Sequence, residues 1–174
     1  MSERINSILN LVSGIKTDIS EINRPPEQIT YEYGSQILPL NLFENTRDSL
    51  YKVAIQINQT YEHACYDACA VMIRRMLEML IIITYENSQI EKLIKDGSGN
   101  YKMLNALIPQ YINQPDWSLS RTTKNDLPLI KDLGDFSAHR LHYNAQRGDI
   151  DKVIDKLHLR TVIEEMLYKS GLKK

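Results

Sequence analysis

The pattern of hydrophobic positions centres on one long stretch, Tyr61 to Tyr85. Ala64, Cys65, Ala68, Cys69, Met72, Met76, Met79, Leu80 and Ile83 recur there at three- and four-residue steps, the period of a helix with a core face. Val71, Ile73, Leu77, Ile81 and Ile82 fall on the remaining sides. A helix that is apolar nearly all round belongs in the middle of a bundle. Its exceptions are informative. At about 100° per residue, Asp67, Arg74 and Glu78 share one narrow stripe with Arg75 at its flank. Charges on a buried helix require partners, because unpaired burial is expensive.

Before this stretch, Ile5, Ile8, Val12, Ile15, Ile19 and Ile22 form an a/d seam across residues 2–23. Ser2 is a plausible N-cap, and Pro25-Pro26 closes the helix. Three heptads are short for a coiled coil, so docking on the chain's own bundle is the first reading and association with another chain the alternative. Residues 1–24 therefore read as an amphipathic arm. Residues 25–45 read as a linker, in which the alternation of Ile29, Tyr31 and Tyr33 suits a short strand or extended arm. A helix is predicted over Phe43 to Gln59, with Leu50, Val53, Ala54 and Ile57 facing inward.

After the central helix, Asn87-Ser88 mark an end, and Ile90, Leu93 and Ile94 a short amphipathic turn. Asp96 to Asn100 is a loop, with neither the strand nor the Lys-Ser/Thr that a phosphate cradle needs. Tyr101 to Ile112 is helical in pattern, and Pro109 predicts a kink or split. A further helix is expected from Ser118 or Asp126 to Leu133, with Pro128 in its first turn and Gly134 as the residue just past its end. A last helix is predicted from the Arg147-Gly148-Asp149 turn to Ser170, closed by Gly171. Its inward residues are Ile150, Val153, Ile154, Leu157, Val162, Ile163, Met166 and Leu167. The expected fold is all-α, a bundle of five or six helices over residues 46–174 behind an N-terminal amphipathic helix.

Composition narrows the function classes. The 174 residues are 43% hydrophobic and 25% charged with a net charge of −1, so the whole-molecule field is not that of a nucleic-acid binder. A local basic face remains open. Lys124, Lys131, Arg140, Arg147, Lys152, Lys156 and Arg160 thicken the C-terminal third among Trp117, Phe136 and Tyr143. Asp126, Asp132, Asp149, Asp151 and Asp155 dilute them into a mixed surface. Two cysteines make no disulfide framework and suggest a reducing compartment. Apolar runs such as Met79 to Ile83 are far shorter than the roughly 20 residues of a membrane span. With charges interrupting the N-terminus where a signal peptide would be apolar, a cytoplasmic protein is expected.

The stretch Gly134-Asp135-Phe136-Ser137-Ala138-His139-Arg140-Leu141-His142 gathers a carboxylate, a hydroxyl and two imidazoles. On a helix Asp135 and His139 share a face, and a carboxylate beside a histidine fixes its tautomer for acid–base work. The structural alternative is a buried polar knot, with His139 hydrogen-bonded to the Arg74/Glu78 stripe. No metal or cofactor is expected. His139 with His142, or Cys65 with Cys69, offers two ligands at most, and neither spacing is that of a zinc finger or an HExxH helix. Both cysteines read as small core residues, and Ser137 has no nucleophile-elbow context.

Taken together, the helix carrying Arg74-Arg75-Met76-Leu77-Glu78 and the later Gly134-Asp135-Phe136-Ser137-Ala138-His139 resemble a prokaryotic family of unknown function within the HEPN clan. The resemblance covers about Leu38 to Leu172. It implies an antiparallel, often dimeric helical bundle related to metal-independent ribonucleases of defence and toxin systems. Those enzymes carry an arginine, a polar residue and a histidine after four to six intervening positions. This chain departs from that motif. Asp132, Leu133 and Gly134 occupy the positions where the arginine would stand, Lys131 is the nearest preceding cation, and Asp135 replaces an asparagine. The expectation is a non-catalytic interaction module, a homodimer or protein partner binding through residues 2–23 and the bundle. The rival is a ribonuclease with His139 as general base, Asp135 orienting it and an arginine such as Arg74 stabilising charge, with Glu78 nearby. Arg75, Arg140 and His142 are the candidate contacts for RNA.

Overall fold

A computed structural model describes residues 36–173, all α-helix, short 3-10 turns and loops apart from a single bridge between Lys95 and Tyr101. The chain divides into two units, Met1–Glu32 and Tyr33–Lys174, and the described residues all belong to the second. The heptad helix expected over residues 2–23 and the extended segment at Ile29, Tyr31 and Tyr33 lie outside the described residues.

Among the described residues, six helices form the bundle: α1 (Asp48–Glu62), α2 (Tyr66–Asn87), α3 (Leu104–Asn113), α4 (Arg121–His139), α5 (Arg147–Asp155) and α6 (Leu159–Lys169). The central helix α2 touches the other five, with α1 and α4 its main neighbours. Cys69, Ala70, Ile73, Met76, Leu77, Leu80, Ile81 and Ile83 are buried on it, as its near-continuous apolarity requires. No helix among the described residues is long and apolar enough to cross a membrane.

Helix α2 starts at Tyr66, five residues later than its pattern predicts. The preceding helix ends in a Schellman motif, in which Cys65 N–H bonds the Thr60 carbonyl at 2.8 Å and Ala64 N–H bonds that of Tyr61 at 3.0 Å. Ala64 takes the left-handed conformation there (φ 56°). Gln89 does the same after α2 (φ 59°), with Ile90 N–H on the Tyr85 carbonyl. Alanine and glutamine carry no signature for this conformation, which usually selects glycine. Cys65 is consequently exposed at the break, while Cys69 is in the core, its thiol pushed up to about 11 by burial.

Part of the expected linker is packed. Ile37, Leu38, Leu40 and Phe43 are buried, and Leu40–Phe43 forms a 3-10 turn, so α1 begins at Asp48 rather than Phe43. The buried Asn58 side chain holds this segment, accepting from Leu38 N–H (3.0 Å) and donating to the Leu38 carbonyl (2.8 Å). Two further expectations are corrected. Helix α4 does not stop before Gly134 but runs to His139, with Pro128 well inside it. The single C-terminal helix is two, divided at His158 (φ 47°). Pro109 lies within α3, which continues past it. Gly171 closes α6 as predicted (φ 74°).

Candidate functional site

Helix α4 reaches the charged stripe of α2 through Gly134. A Cβ at this glycine would stand 2.5 Å from Arg74 Cβ and 2.9 Å from the Ala70 carbonyl oxygen, so only hydrogen allows the two helices this approach. The contact delivers the next residue, Asp135, to Arg74. Arg74 Nε donates to Asp135 Oδ1 at 2.6 Å, and Lys131 Nζ lies 2.9 Å from Asp135 Oδ2. Lys131 also reaches Asp132 Oδ1 (2.9 Å) and Asn105 Oδ1 of α3 (2.6 Å). Glu78 is a marginal member, 3.9 Å from Arg74.

Electrostatics follow from this geometry. Burial alone would raise the Asp135 pKa, but the hydrogen bonds from Lys131 and Arg74 outweigh it and hold the carboxyl below the usual carboxylate range. Burial likewise opposes the charge of Lys131, and Asp135 and Asp132 more than restore it. Arg74 of the charged stripe thus has its partner on a second helix, as its burial demanded.

The other candidate residues are elsewhere. His139 is the last residue of α4, exposed, and makes no hydrogen bond or ion pair among the described residues. The expected meeting of His139 with Glu78 and Arg74 is not found. Asp67 accepts from Ala145 N–H at 2.9 Å instead and pins the α4–α5 loop. Ser137 Oγ is buried with no hydrogen-bond partner among the described residues, so no base activates it. Arg140 stacks on the Phe136 ring, 3.5 Å from its centroid, and Tyr143 meets the same ring edge-on at 5.9 Å. His142 and Arg75 are exposed and make no such contact.

Beside this aromatic group, α4 and α5 enclose a cleft of about 420 Å³. Leu129, Leu133 and Val153 give it apolar walls, with Asp132, Tyr143, Asp149 and Lys152 as its polar residues. Burial and the Asp149 carboxylate push the Tyr143 hydroxyl up to about 12, so the phenol stays protonated and a donor at neutral pH. Sequence reasoning missed this cleft, because no periodicity marks the angle at which two helices diverge. It also left Lys131 out of the cluster, although the i, i+4 spacing to Asp135 was a usable signal.

Among the described residues, no three His, Cys, Asp or Glu side chains converge to hold a metal ion. Comparisons with protein-family models, with curated proteins and with solved structures gave no match.

Proposed function

We propose that the protein is a non-catalytic, HEPN-like interaction module that works by association, with itself or with a partner protein, in a prokaryotic defence or nucleic-acid-linked system. The observation that carries this reading is the engagement of Asp135. Its two oxygens accept from Arg74 and Lys131, so the carboxylate that would orient an imidazole is spent on holding α4 against α2. The likeness of the Arg74/Glu78 helix and the Gly134–His139 stretch to the HEPN pattern supplies the biological setting. Mixed-sequence RNA incubated with the full chain in the presence of a chelator tests the reading. It is expected to remain intact, while sedimentation at tens of micromolar finds an associated species.

One observation favours the rival ribonuclease. The His139 imidazole is solvent-accessible at the end of α4, next to Arg140 and close in sequence to His142. In that reading His139 acts as general base without an orienting carboxylate, and Arg140 and Arg75 meet phosphates. Chelator-resistant cleavage that disappears in His139→Ala would establish it and sink the first reading.

A further inference from the structure

Of the four polar residues in the α4–α5 cleft, three are engaged and one is not. Asp132 Oδ1 holds Lys131 Nζ at 2.9 Å. Asp149 belongs to the capping box of α5, accepting from Gln146 N–H at 2.9 Å, and stands beside the Tyr143 hydroxyl. Lys152 lies three residues after Asp149 on the same helix, a spacing at which ion pairs form. Yet its ammonium makes no hydrogen bond or ion pair among the described residues. Arg140, over the Phe136 ring at the aromatic end, has no ion pair among them either. The unspent charge of the cleft is therefore positive, although two of its residues are acidic.

The walls set the rest of the ligand. Leu129, Leu133, Val153 and Leu157 are aliphatic, and the lining consists entirely of described residues. Phe136 already carries Arg140 on its face and Tyr143 on its edge, so an alkyl chain suits the space better than an aromatic ring. The volume of about 420 Å³ lies in the range of small-molecule sites. At about 30 Å³ for a water-sized group, it takes on the order of a dozen carbon atoms. A cationic ligand would have to compete with donors that Asp132 and Asp149 already hold. An anionic one would give Lys152 the partner it lacks.

We infer that this cleft binds a medium-chain alkyl carboxylate, with the chain along Leu129, Leu133, Val153 and Leu157 and the carboxylate on Lys152. The site is separate from the Arg74–Asp135 cluster, and the inference goes beyond the association reading above without resting on it.

Amide NMR spectra of the full chain, titrated with decanoate, octanoate, decanol and decylammonium at pH 7, test the inference. Decanoate is expected to bind with a dissociation constant below about 1 mM, moving the amide signals of Leu133, Tyr143, Lys152 and Val153. Octanoate should bind about tenfold more weakly, since each buried methylene contributes a factor of about three to four. Decanol keeps the chain without the charge and should bind at least about fivefold more weakly. Lys152→Gln should abolish the difference between decanoate and decanol. Leu129→Asp, at a position 51% exposed, should weaken both ligands at least about tenfold by placing a carboxylate in the apolar wall. Thermal melts without ligand will show that both variants fold. Decylammonium binding more tightly than decanoate would overturn the inference, because the acidic residues would then set the charge of the ligand. A decanoate affinity that either substitution leaves unchanged overturns it too, as does the absence of decanoate binding below about 1 mM. None of these outcomes bears on whether the chain associates, which sedimentation decides.

Discussion

Gly134 lies so close to Arg74 that the two helices meet with no room for a methyl group, a Cβ at 134 standing 2.5 Å from Arg74 Cβ. Alanine there would gain about 0.5–1 kcal/mol of helix propensity. It would also force the α2–α4 contact apart, because both nearest atoms belong to parts of α2 that cannot rotate away. Overpacking of this kind costs about 1–3 kcal/mol. Gly134→Ala is therefore expected to lower stability by about 1–2 kcal/mol in urea unfolding. Gly148→Ala, on α5 with nothing within 4 Å of the added carbon, is the control and should be neutral or slightly stabilising. Equal behaviour of the two variants would show that the close approach carries no energetic weight.

The second expectation separates the two motif residues. Asp135→Ala leaves Arg74 and Lys131, 19% and 14% exposed, facing each other without their shared carboxylate. Removing one member of a partly buried cluster costs more than its net contribution, about 1–3 kcal/mol here. His139→Ala, at an exposed helix end, should stay within about 0.5 kcal/mol of the wild type. The opposite ranking, measured by thermal or urea unfolding, would place His139 in the structural cluster after all.

These contrasts also mark what the sequence could reveal. The charged residues at 67, 74 and 78 stand out against an apolar helix, and a buried charge implies a partner, so the existence of a polar site on α2 was readable. The small-residue stretch was readable as the place of that partner, but the structure gives the role to Asp135 and not to His139. The role of Gly134 did not follow, because a glycine read locally signals a helix end, whereas here the tertiary contact uses its missing side chain. Pro128 misled in the same way, being held inside α4 by packing that its local preference opposes. The breaks at Ala64 and His158 were invisible for a third reason, since residues other than glycine adopt the left-handed conformation at both. His139 was placed correctly on the helical face of Asp135, but the helix ends there and leaves the imidazole in solvent.

Asn58 offers a test of how the N-terminal segment of the bundle is held. Its amide bonds both the N–H and the carbonyl of Leu38, itself fully buried. Asn58→Ala strands two buried backbone groups, each costing about 1–3 kcal/mol, so a total loss of about 2–4 kcal/mol is expected. Native-state amide exchange should accelerate at Leu38 far more than in the middle of α2. Unchanged exchange at Leu38 would mean that apolar packing of Ile37, Leu38 and Phe43 suffices to hold the segment.

Acid sensitivity follows from the carboxylates that join helices. Glu165 of α6 accepts from Ser120 N–H (2.7 Å), from Ser120 Oγ (2.6 Å) and from the Thr123 hydroxyl at the start of α4. Burial would raise its pKa, but those three donors outweigh burial and hold it below the usual range, as Lys131 and Arg74 do for Asp135. A folded-state pKa below the unfolded one means that the unfolded chain binds more protons in acid, so stability rises with pH across that interval. The contribution is complete above the unfolded values, about 4 for both carboxyl types, and is lost as pH falls through the lower folded values. Melting temperatures of the wild type should therefore stand clearly above those of Glu165→Gln at pH 7, and the gap should narrow steadily below about pH 4.5. A gap as wide at pH 3 as at pH 7 would show that the ionised carboxylate is not what Ser120 and Thr123 hold.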